Sequence, residues 1–201
     1  MPVANFRIEG VEKDCGGGSP QTNNASTTVP VFLIPLKMKV YLSNGSTMTF
    51  DPETIPGYTN GKTVVQNVML SPVFDSTTTY ITGTTQYIDA FQRGNFWAYA
   101  QNNNYHLLLG EPSEVGEQEL DVPMTDGCVL NNSVYGFPVG SVHDTWLGPQ
   151  LQTIIASLPQ IQPNSLVIFL SYDVVEFTGG PTCSPAVPGD QGQHYSSGAQ
   201  T

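Results

Sequence analysis

The stretch of sequence that decides the fold is VFLIPLKMKVYLSNGSTMTF, residues 31–50. Residues 31–42 are rich in β-branched and aromatic side chains, and from Lys37 onward polar and apolar positions alternate, which predicts a strand. Asn44 and Gly45 are well suited to a type I′ turn, because both central positions of that turn take positive φ. Residues 46–50 then predict a second strand, so we expect a β-hairpin here.

The elements that follow are predicted from turn residues and periodicity. Residues 51–62 contain prolines and glycines and predict a loop, after which TVVQNVML (63–70) is strand-like. Residues 84–99 predict a helix with Thr84 or Thr85 as N-cap, and we expect one side of it to pack on the sheet. The residues of that side are Tyr87, Ala90, Phe91, Gly94 and Trp97. Residues 105–109, YHLLL, predict a short strand.

The second half of the chain predicts one further helix and one strong strand. Residues 111–132 are acidic with little periodicity, which predicts a solvated surface loop. Residues 145–158 predict a helix that Pro159 and Pro163 end. Its apolar face consists of Trp146, Leu151, Ile154, Ile155 and Leu158. Residues 166–177, LVIFLSYDVVEF, predict a single strand that is apolar enough to lie inside a sheet.

This order of elements predicts an α+β fold, with a mixed or mostly antiparallel sheet and two helices packed on it. A β-sandwich is the alternative. Residues 1–29 predict a flexible amino-terminal linker, since residues 13–29 are rich in Gly, Ser, Thr and Asn. We expect the α+β domain to span residues 30–180, and residues 181–201 to form a flexible tail.

Composition and charge indicate where the protein acts. Charged residues make up 11% of the 201 residues, against roughly a quarter in an average domain, which favours a secreted, extracellular setting. The formal charge is -11 and basic residues form no run, so nucleic acid and anionic membranes are poor partners. The most apolar segment, residues 29–40, is too short and interrupted to span a membrane. Residues 1–18 lack the features of a signal peptide, so either export is encoded upstream or the chain is a fragment.

The cysteines leave their pairing open. Cys15, Cys128 and Cys183 cannot all pair within one chain, and none has the CxxC spacing of zinc or redox sites. One disulfide with a spare thiol and three free thiols are both open alternatives.

A search for chemistry finds no catalytic residue and no metal ligand set. HExxH, GxSxG, phosphate-loop and GxGxxG motifs are absent from the sequence. The three histidines His106, His143 and His194 are weak candidates for binding residues. Asp173 and Glu176, three residues apart in the predicted strand, point to opposite faces and cannot form a paired acid and base.

Two surface features are weighed as binding sites. The acidic segment 111–126 offers oxygen ligands for Ca²⁺, but not at EF-hand spacing. Aromatic side chains are candidates for a sugar-stacking platform, although aromatics at helical spacing more often form core. These side chains are Tyr80, Tyr87, Phe96, Trp97, Tyr99 and Trp146.

Several stretches together resemble a family of secreted bacterial proteins with a TQYIDAFQRANFW-type motif. The stretches are TMTFDPETI (47–55), SPVFDSTTTYITGTTQYIDAFQRGNFW (71–97), YHLLLGEP (105–112), SLVIFLSYDVVEF (165–177), a cysteine and QGQHYS (191–196). The resemblance runs from about residue 30 to the end of the chain, and His194 matches a recurring histidine. The segment PTCSPAVPGDQGQ (181–193) departs from it, since longer members often have adjacent cysteines there.

The resemblance implies a function that this chain does not perform alone. In longer members the segment resembling residues 192–195 leads into a helix with a zinc-peptidase-like HExxE signature. The chain is therefore expected to be the amino-terminal scaffold of a secreted metallopeptidase-like protein, with zinc in a longer protein and no cofactor here. The alternative is an extracellular or cell-surface module that binds a protein or glycan. A phage or pilus-like structural subunit is a third hypothesis.

Overall fold

The computed structural model describes residues 26–55, 61–81, 83–97, 104–130 and 137–178. Its strands are β1 Thr27–Val29, β2 Val31–Tyr41, β3 Thr47–Phe50, β4 Thr79–Tyr80, β5 Gly83–Thr84, β6 Leu107–Leu109, β7 Ser113–Glu114, β8 Gln118–Val122, β9 Gly127–Leu130, β10 Val139–His143, β11 Leu166–Leu170 and β12 Val174–Phe177. Its helices are α1 Val64–Met69, α2 Tyr87–Asn95 and α3 Asp144–Ser157, with a 3-10 helix over Pro72–Phe74. Parallel and antiparallel pairs both occur, so the predicted α+β class with a mixed sheet is confirmed.

The chain divides into two compact units. The first unit comprises Met1–Val31 and Leu70–Pro112, and the second comprises Phe32–Met69 and Ser113–Thr201. The single domain predicted over residues 30–180 is therefore shared between two units. The last residues of the predicted linker 1–29 form β1, and the predicted tail 181–201 lies outside the described residues.

Strand β2 is the centre of the second unit. It pairs antiparallel with β3 and in parallel with β7 and β8, and β11 lies in the same sheet. Alternate side chains of β2 enter the apolar core from Ile34 to Val40. The buried core residues are Ile34, Leu36, Met38, Val40, Phe50, Val115, Leu120, Val122, Val142, Leu147 and Ile154. Burial of this set is the main stabilisation of the unit, because each large aliphatic side chain contributes about 1.5–3 kcal/mol.

A second, three-stranded sheet depends on two glycines. Its central strand β10 pairs in parallel with β12 and antiparallel with β9. A Cβ atom at Gly140 would lie 2.9 Å from the Phe50 ring, and one at Gly127 would lie 2.3 Å from Val122 Cγ1. These distances are too short for any side chain, so both glycines allow core residues to approach the backbone.

The predicted hairpin at residues 31–50 is confirmed, but its turn is not type I′. Tyr41 pairs with Thr47, and Gly45 N donates to Leu42 O at 2.9 Å. Gly45 has φ +82°, whereas Asn44 is not among the positive-φ residues of the described chain. The turn is therefore followed by a glycine bulge, a longer connection that needs positive φ at one position only.

The strand predicted over residues 63–70 is wrong, because α1 occupies this stretch. Thr63 Oγ1 accepts a hydrogen bond from Gln66 N at 3.2 Å, and Gln66 Oε1 accepts one from Thr63 N at 3.1 Å. This reciprocal pair is a capping box, which satisfies two donors at the start of a helix. The cap outweighs the strand preference of the valines that follow.

The solvated loop predicted over residues 111–132 is also wrong. The stretch contains β7, β8 and β9, and β8 lies beside the central strand β2. Leu120 and Val122 are buried while Glu119 and Asp121 are exposed. The charged side chains are thus the outward half of an alternating strand pattern, and Glu119 forms an ion pair with Lys39.

The single strand predicted over residues 166–177 is divided. Strand β11 joins the sheet of β2, whereas β12 joins the sheet of β10. Between them Asp173 takes φ 50°, a conformation that Asp tolerates better than most residues, and its carbonyl accepts from Gly140 N at 2.9 Å. Asp173 therefore lies in a turn, so the prediction that it and Glu176 share one strand is wrong.

The second predicted helix is confirmed as α3, with Pro149 inside it near its start. Leu147 and Ile154 are buried, and Trp146, Leu151 and Leu158 pack against the core. Four of the five residues of the predicted apolar face thus contribute to the core, together with Leu147, which was not predicted; Ile155 is not among the core residues.

Candidate functional site

Helix α2 buries its charged side chains and exposes its aromatic ones. Asp89 is 0% exposed and Arg93 is 8% exposed, whereas Tyr87 and Phe91 are 52% and 57% exposed. The prediction that the side of this helix with Tyr87 and Phe91 packs on the sheet is therefore wrong. The reversal needs a physical explanation, because burial of charged groups is costly unless they are paired.

The explanation is that α2 packs against the edge of β6. On its other edge β6 pairs in parallel with β1, where Thr27 N donates to His106 O and Gly110 N donates to Val29 O, each at 2.8 Å. Backbone groups of successive residues in a strand point to opposite edges, so those of residues 105, 107 and 109 face α2. A strand edge presents N–H and C=O groups, which require polar partners.

The helix and its N-cap supply these partners through three side chains, which we call the edge clamp: Gln86, Asp89 and Arg93. Gln86 Oε1 accepts from Leu109 N at 2.6 Å, and Gln86 Nε2 donates to Leu109 O at 2.9 Å. Asp89 Oδ1 accepts from Leu107 N at 2.9 Å. Each side chain thus takes the place of a neighbouring strand.

The third member, Arg93, extends the edge clamp to the start of this strand. Its Nη1 donates to the backbone oxygen of Tyr105, which is itself buried. Spacings of three and four residues place Gln86, Asp89 and Arg93 on one face of the helix. All three lie in the segment TQYIDAFQR (85–93).

Asp89 also binds the side chains on either side of it. Its Oδ2 accepts from Thr85 Oγ1 and from His106 Nδ1, both at 2.8 Å. Because a carboxylate only accepts, Nδ1 of His106 carries the proton, and Nε2 is the acceptor in the neutral ring. Three hydrogen bonds therefore compensate the burial of the Asp89 charge.

The pairing of Asp89 with His106 fixes the orientation of the imidazole, as a carboxylate does in hydrolase triads. The His106 side chain is 34% exposed. Within the described residues no serine, threonine or cysteine hydrogen-bonds to His106 Nε2. The described contacts of His106 are thus those of a residue that joins α2 to β6.

The other two candidate histidines are not part of this pairing with Asp89. His143 is the N-cap of α3, where its Nδ1 accepts from Thr145 N at 3.2 Å, and its ring meets Phe177 edge to face at 4.8 Å. The Asp144 carboxylate accepts from the same Thr145 amide at 2.6 Å. His143 therefore has a structural role at a helix terminus. His194 lies outside the described residues.

The exposed side of the first unit carries three neighbouring aromatic rings, which we call the aromatic face: Tyr80, Tyr87 and Phe91. Tyr87 and Phe91 are stacked, with ring centroids 6.2 Å apart and planes at 27°. Tyr80 meets Tyr87 edge to face at 6.4 Å. Contacts between the rings hold them in fixed relative orientations, which suits them to receive a flat ligand.

The segment that carries Tyr80 is rich in hydroxyl groups. Tyr80 lies in the small hairpin of β4 and β5, in which the hydroxyls of Thr79 and Thr84 are 2.9 Å apart. Earlier in this segment the hydroxyl and amide of Thr77 donate to Asp75 and lower the pKa of that carboxyl. Asp75 is therefore ionised at neutral pH and is fixed by its own loop.

Trp146 packs against the core of the second unit, in agreement with the core alternative weighed for the aromatic candidates. Trp97 is 48% exposed, and Tyr99 lies outside the described residues. The aromatic face thus contains two of the six aromatic candidates named from the sequence, Tyr80 and Tyr87, together with Phe91.

Lys37 lies at the centre of a group of charged side chains in the second unit. Lys37 Nζ lies 3.3 Å from both Asp51 and Glu117, which raise its pKa. Burial raises the pKa of Glu53, and the neighbouring carboxylates Glu114, Glu117 and Asp51 raise it further. Within the described ranges no three His, Cys, Asp or Glu side chains are grouped so as to hold a metal ion.

Cys128 in β9 is disulfide-bonded. Cys15 and Cys183 lie outside the described residues.

Comparison with protein-family models, with curated proteins and with solved structures gives no match. None of the helices in the described part of the chain has the length and apolarity needed to cross a membrane.

Proposed function

We propose that this chain is a binding module of a secreted protein, and that it recognises its ligand through the aromatic face. The observation that carries the proposal is the orientation of α2, which exposes Tyr87 and Phe91 by about half while its charged side chains are buried. Exposed aromatic side chains in contact with one another are typical of binding surfaces, because each offers a large apolar area at a small cost in conformational entropy.

The edge clamp supports this proposal. Gln86, Asp89 and Arg93 bind β6 through backbone groups, so α2 is held without using its aromatic side chains. The rings are thereby presented on a rigid element, and little ordering is required when a ligand binds.

An extracellular setting is the part of the proposal that composition and the disulfide support. Disulfides persist in oxidising compartments, and Cys128 is disulfide-bonded. The low content of charged residues agrees with this setting.

The test compares the full chain with a Tyr87→Ala/Phe91→Ala double variant against arrays of extracellular glycans and of extracellular proteins. We expect binding to at least one array component, and we expect the double variant to lose it. The matched control is Tyr41→Ala, which removes an exposed tyrosine of the second unit. Binding that survives the double variant, or the absence of any binding, would contradict the proposal.

The resemblance supports a second proposal, that the chain is the scaffold portion of a metallopeptidase-like protein. The segment TQYIDAFQR supplies the edge clamp, so the shared motif has a structural role, as a scaffold requires. We expect zinc and peptide hydrolysis in a longer protein that contains an HExxE helix, and neither in this chain. Stoichiometric zinc together with hydrolysis by residues 1–201 alone would refute the scaffold proposal.

A further inference from the structure

We infer that the ligand of the aromatic face is a neutral polysaccharide, whose sugar rings stack on Tyr87 and Phe91. This inference rests on the proposed binding function and adds the chemical class of the ligand. Three properties of the first unit carry it: the chemistry of the surface, its charge and its area.

The chemistry of the surface matches a sugar. A pyranose ring has C–H groups on its faces and hydroxyl groups around its edge, so it requires an apolar plane bordered by hydrogen-bonding groups. The exposed parts of the Tyr87 and Phe91 rings offer apolar ring faces. The phenolic hydroxyl groups of Tyr80 and Tyr87 offer donors and acceptors.

The charge of residues 70–112, the part of the unit that contains the aromatic face, selects against anionic ligands. This stretch contains one arginine and no lysine. That arginine, Arg93, is buried and donates to Tyr105 O in the edge clamp. Asp75, whose pKa the Thr77 hydrogen bonds lower, lies in the same segment as Tyr80. Within the described part of residues 70–112, a uronate polymer, a sulfated glycan or a nucleic acid would meet the Asp75 carboxylate and no exposed arginine or lysine.

The area of the aromatic face favours a glycan over a protein. A fully covered aromatic side chain buries about 150–250 Å². Two half-exposed rings and the partly exposed Tyr80 therefore offer roughly 300 Å². A stable protein interface needs about 800 Å² per partner. A short length of a polysaccharide chain requires no larger contact than the rings provide.

The experiment uses the full chain and isothermal titration calorimetry with hexasaccharides of glucose, N-acetylglucosamine, mannose and galactose. Hexagalacturonate is the charged counterpart of the galactose hexamer. We expect at least one neutral hexamer to bind, with an affinity that changes less than twofold between low and high salt, because no ion pair is formed. We expect no binding of hexagalacturonate.

Variants separate stacking from hydrogen bonding. Phe91→Ala should lower the affinity at least tenfold, whereas Tyr87→Phe keeps the ring and should change it less than threefold. The amide of Leu107 should keep its hydrogen-exchange rate in both variants, which would show that the edge clamp is intact.

The outcomes distinguish this inference from the proposed function. If a protein or an acidic polymer binds and Tyr87→Ala/Phe91→Ala abolishes that binding, the binding function stands and the neutral polysaccharide is refuted. If no ligand of any class depends on the aromatic face, both are refuted.

Discussion

Replacement of Asp89 by alanine tests the edge clamp most directly. Asp89 is fully buried and accepts hydrogen bonds from Thr85 Oγ1, His106 Nδ1 and Leu107 N at 2.8, 2.8 and 2.9 Å. A hydrogen bond to a charged group contributes about 1.5–3 kcal/mol, and a buried donor left without a partner costs about 1–3 kcal/mol. The three bonds are not additive, since they share one carboxylate. We therefore expect Asp89→Ala to lower the free energy of unfolding by about 3–5 kcal/mol.

Asp89→Asn should cost less, about 1–2 kcal/mol. The asparagine oxygen still accepts from Leu107 N, and its amide can donate to His106 Nδ1 when the imidazole carries its proton on Nε2. The matched control is Glu111→Gln, which neutralises an exposed carboxylate of the same unit. It should change stability by less than about 0.5 kcal/mol.

The assay is native-state hydrogen exchange at single amides, with urea denaturation as the global measure. A loss of about 3 kcal/mol in local stability corresponds to roughly 100-fold faster exchange at Leu107. The amide of Gly110, which donates to Val29 O in the β1 pairing, reports on the opposite edge of β6. If Leu107 exchanges at the same rate in Asp89→Ala as in Glu111→Gln, the edge clamp does not hold the strand.

Three further predictions concern the second unit. Gly127→Ala should lower the free energy of unfolding by about 1–3 kcal/mol through contact with Val122, whereas Gly116→Ala, with nothing within 4 Å of its added Cβ, should change it by less than about 0.5 kcal/mol; equal effects in urea denaturation would contradict this. The folded state favours the protonated carboxyl of Glu53, because burial and neighbouring carboxylates raise its pKa. Ionisation of this carboxyl therefore lowers the stability of the native protein as the pH rises through that pKa. Glu53→Gln should therefore gain stability relative to the native protein between about pH 4 and about pH 7. A difference in the free energy of unfolding that does not change with pH would contradict this. Cys128→Ser should cost about 2–4 kcal/mol, and reductant should destabilise only the native protein; a response of both would exclude this disulfide as the cause.

Local patterns were sufficient for the elements in which residue preference and burial agree. The β2–β3 hairpin combines alternating side chains with a glycine-containing turn, and α3 combines an apolar face with a proline stop. In both, the side chains that favour the local conformation are also those that fill the core. Their existence, though not the turn type, followed from the residues alone.

Helix α1 and strand β8 each have a local sequence signal for the observed structure, but another feature of the same residues indicates a different structure. The capping box of Thr63 and Gln66 identifies α1 once a helix is considered, but the valines suggested a strand. The alternation of β8 was present in QELDV (118–122), but its charged half suggested a loop. Short segments of this kind are decided by their neighbours, because their own preferences differ by less than about 1 kcal/mol per residue.

The orientation of α2 was decided by the tertiary structure alone. Periodicity identifies which residues share a helix face, and here it indicated only the aromatic one. Gln86, Asp89 and Arg93 share another face at spacings of three and four residues, which was not predicted. The periodicity of the sequence does not determine whether the helix packs on the apolar surface of a sheet or on the polar edge of a strand. Because α2 lies against the edge of β6, hydrogen bonding to backbone groups outweighs burial of the rings, and the aromatic face remains on the surface.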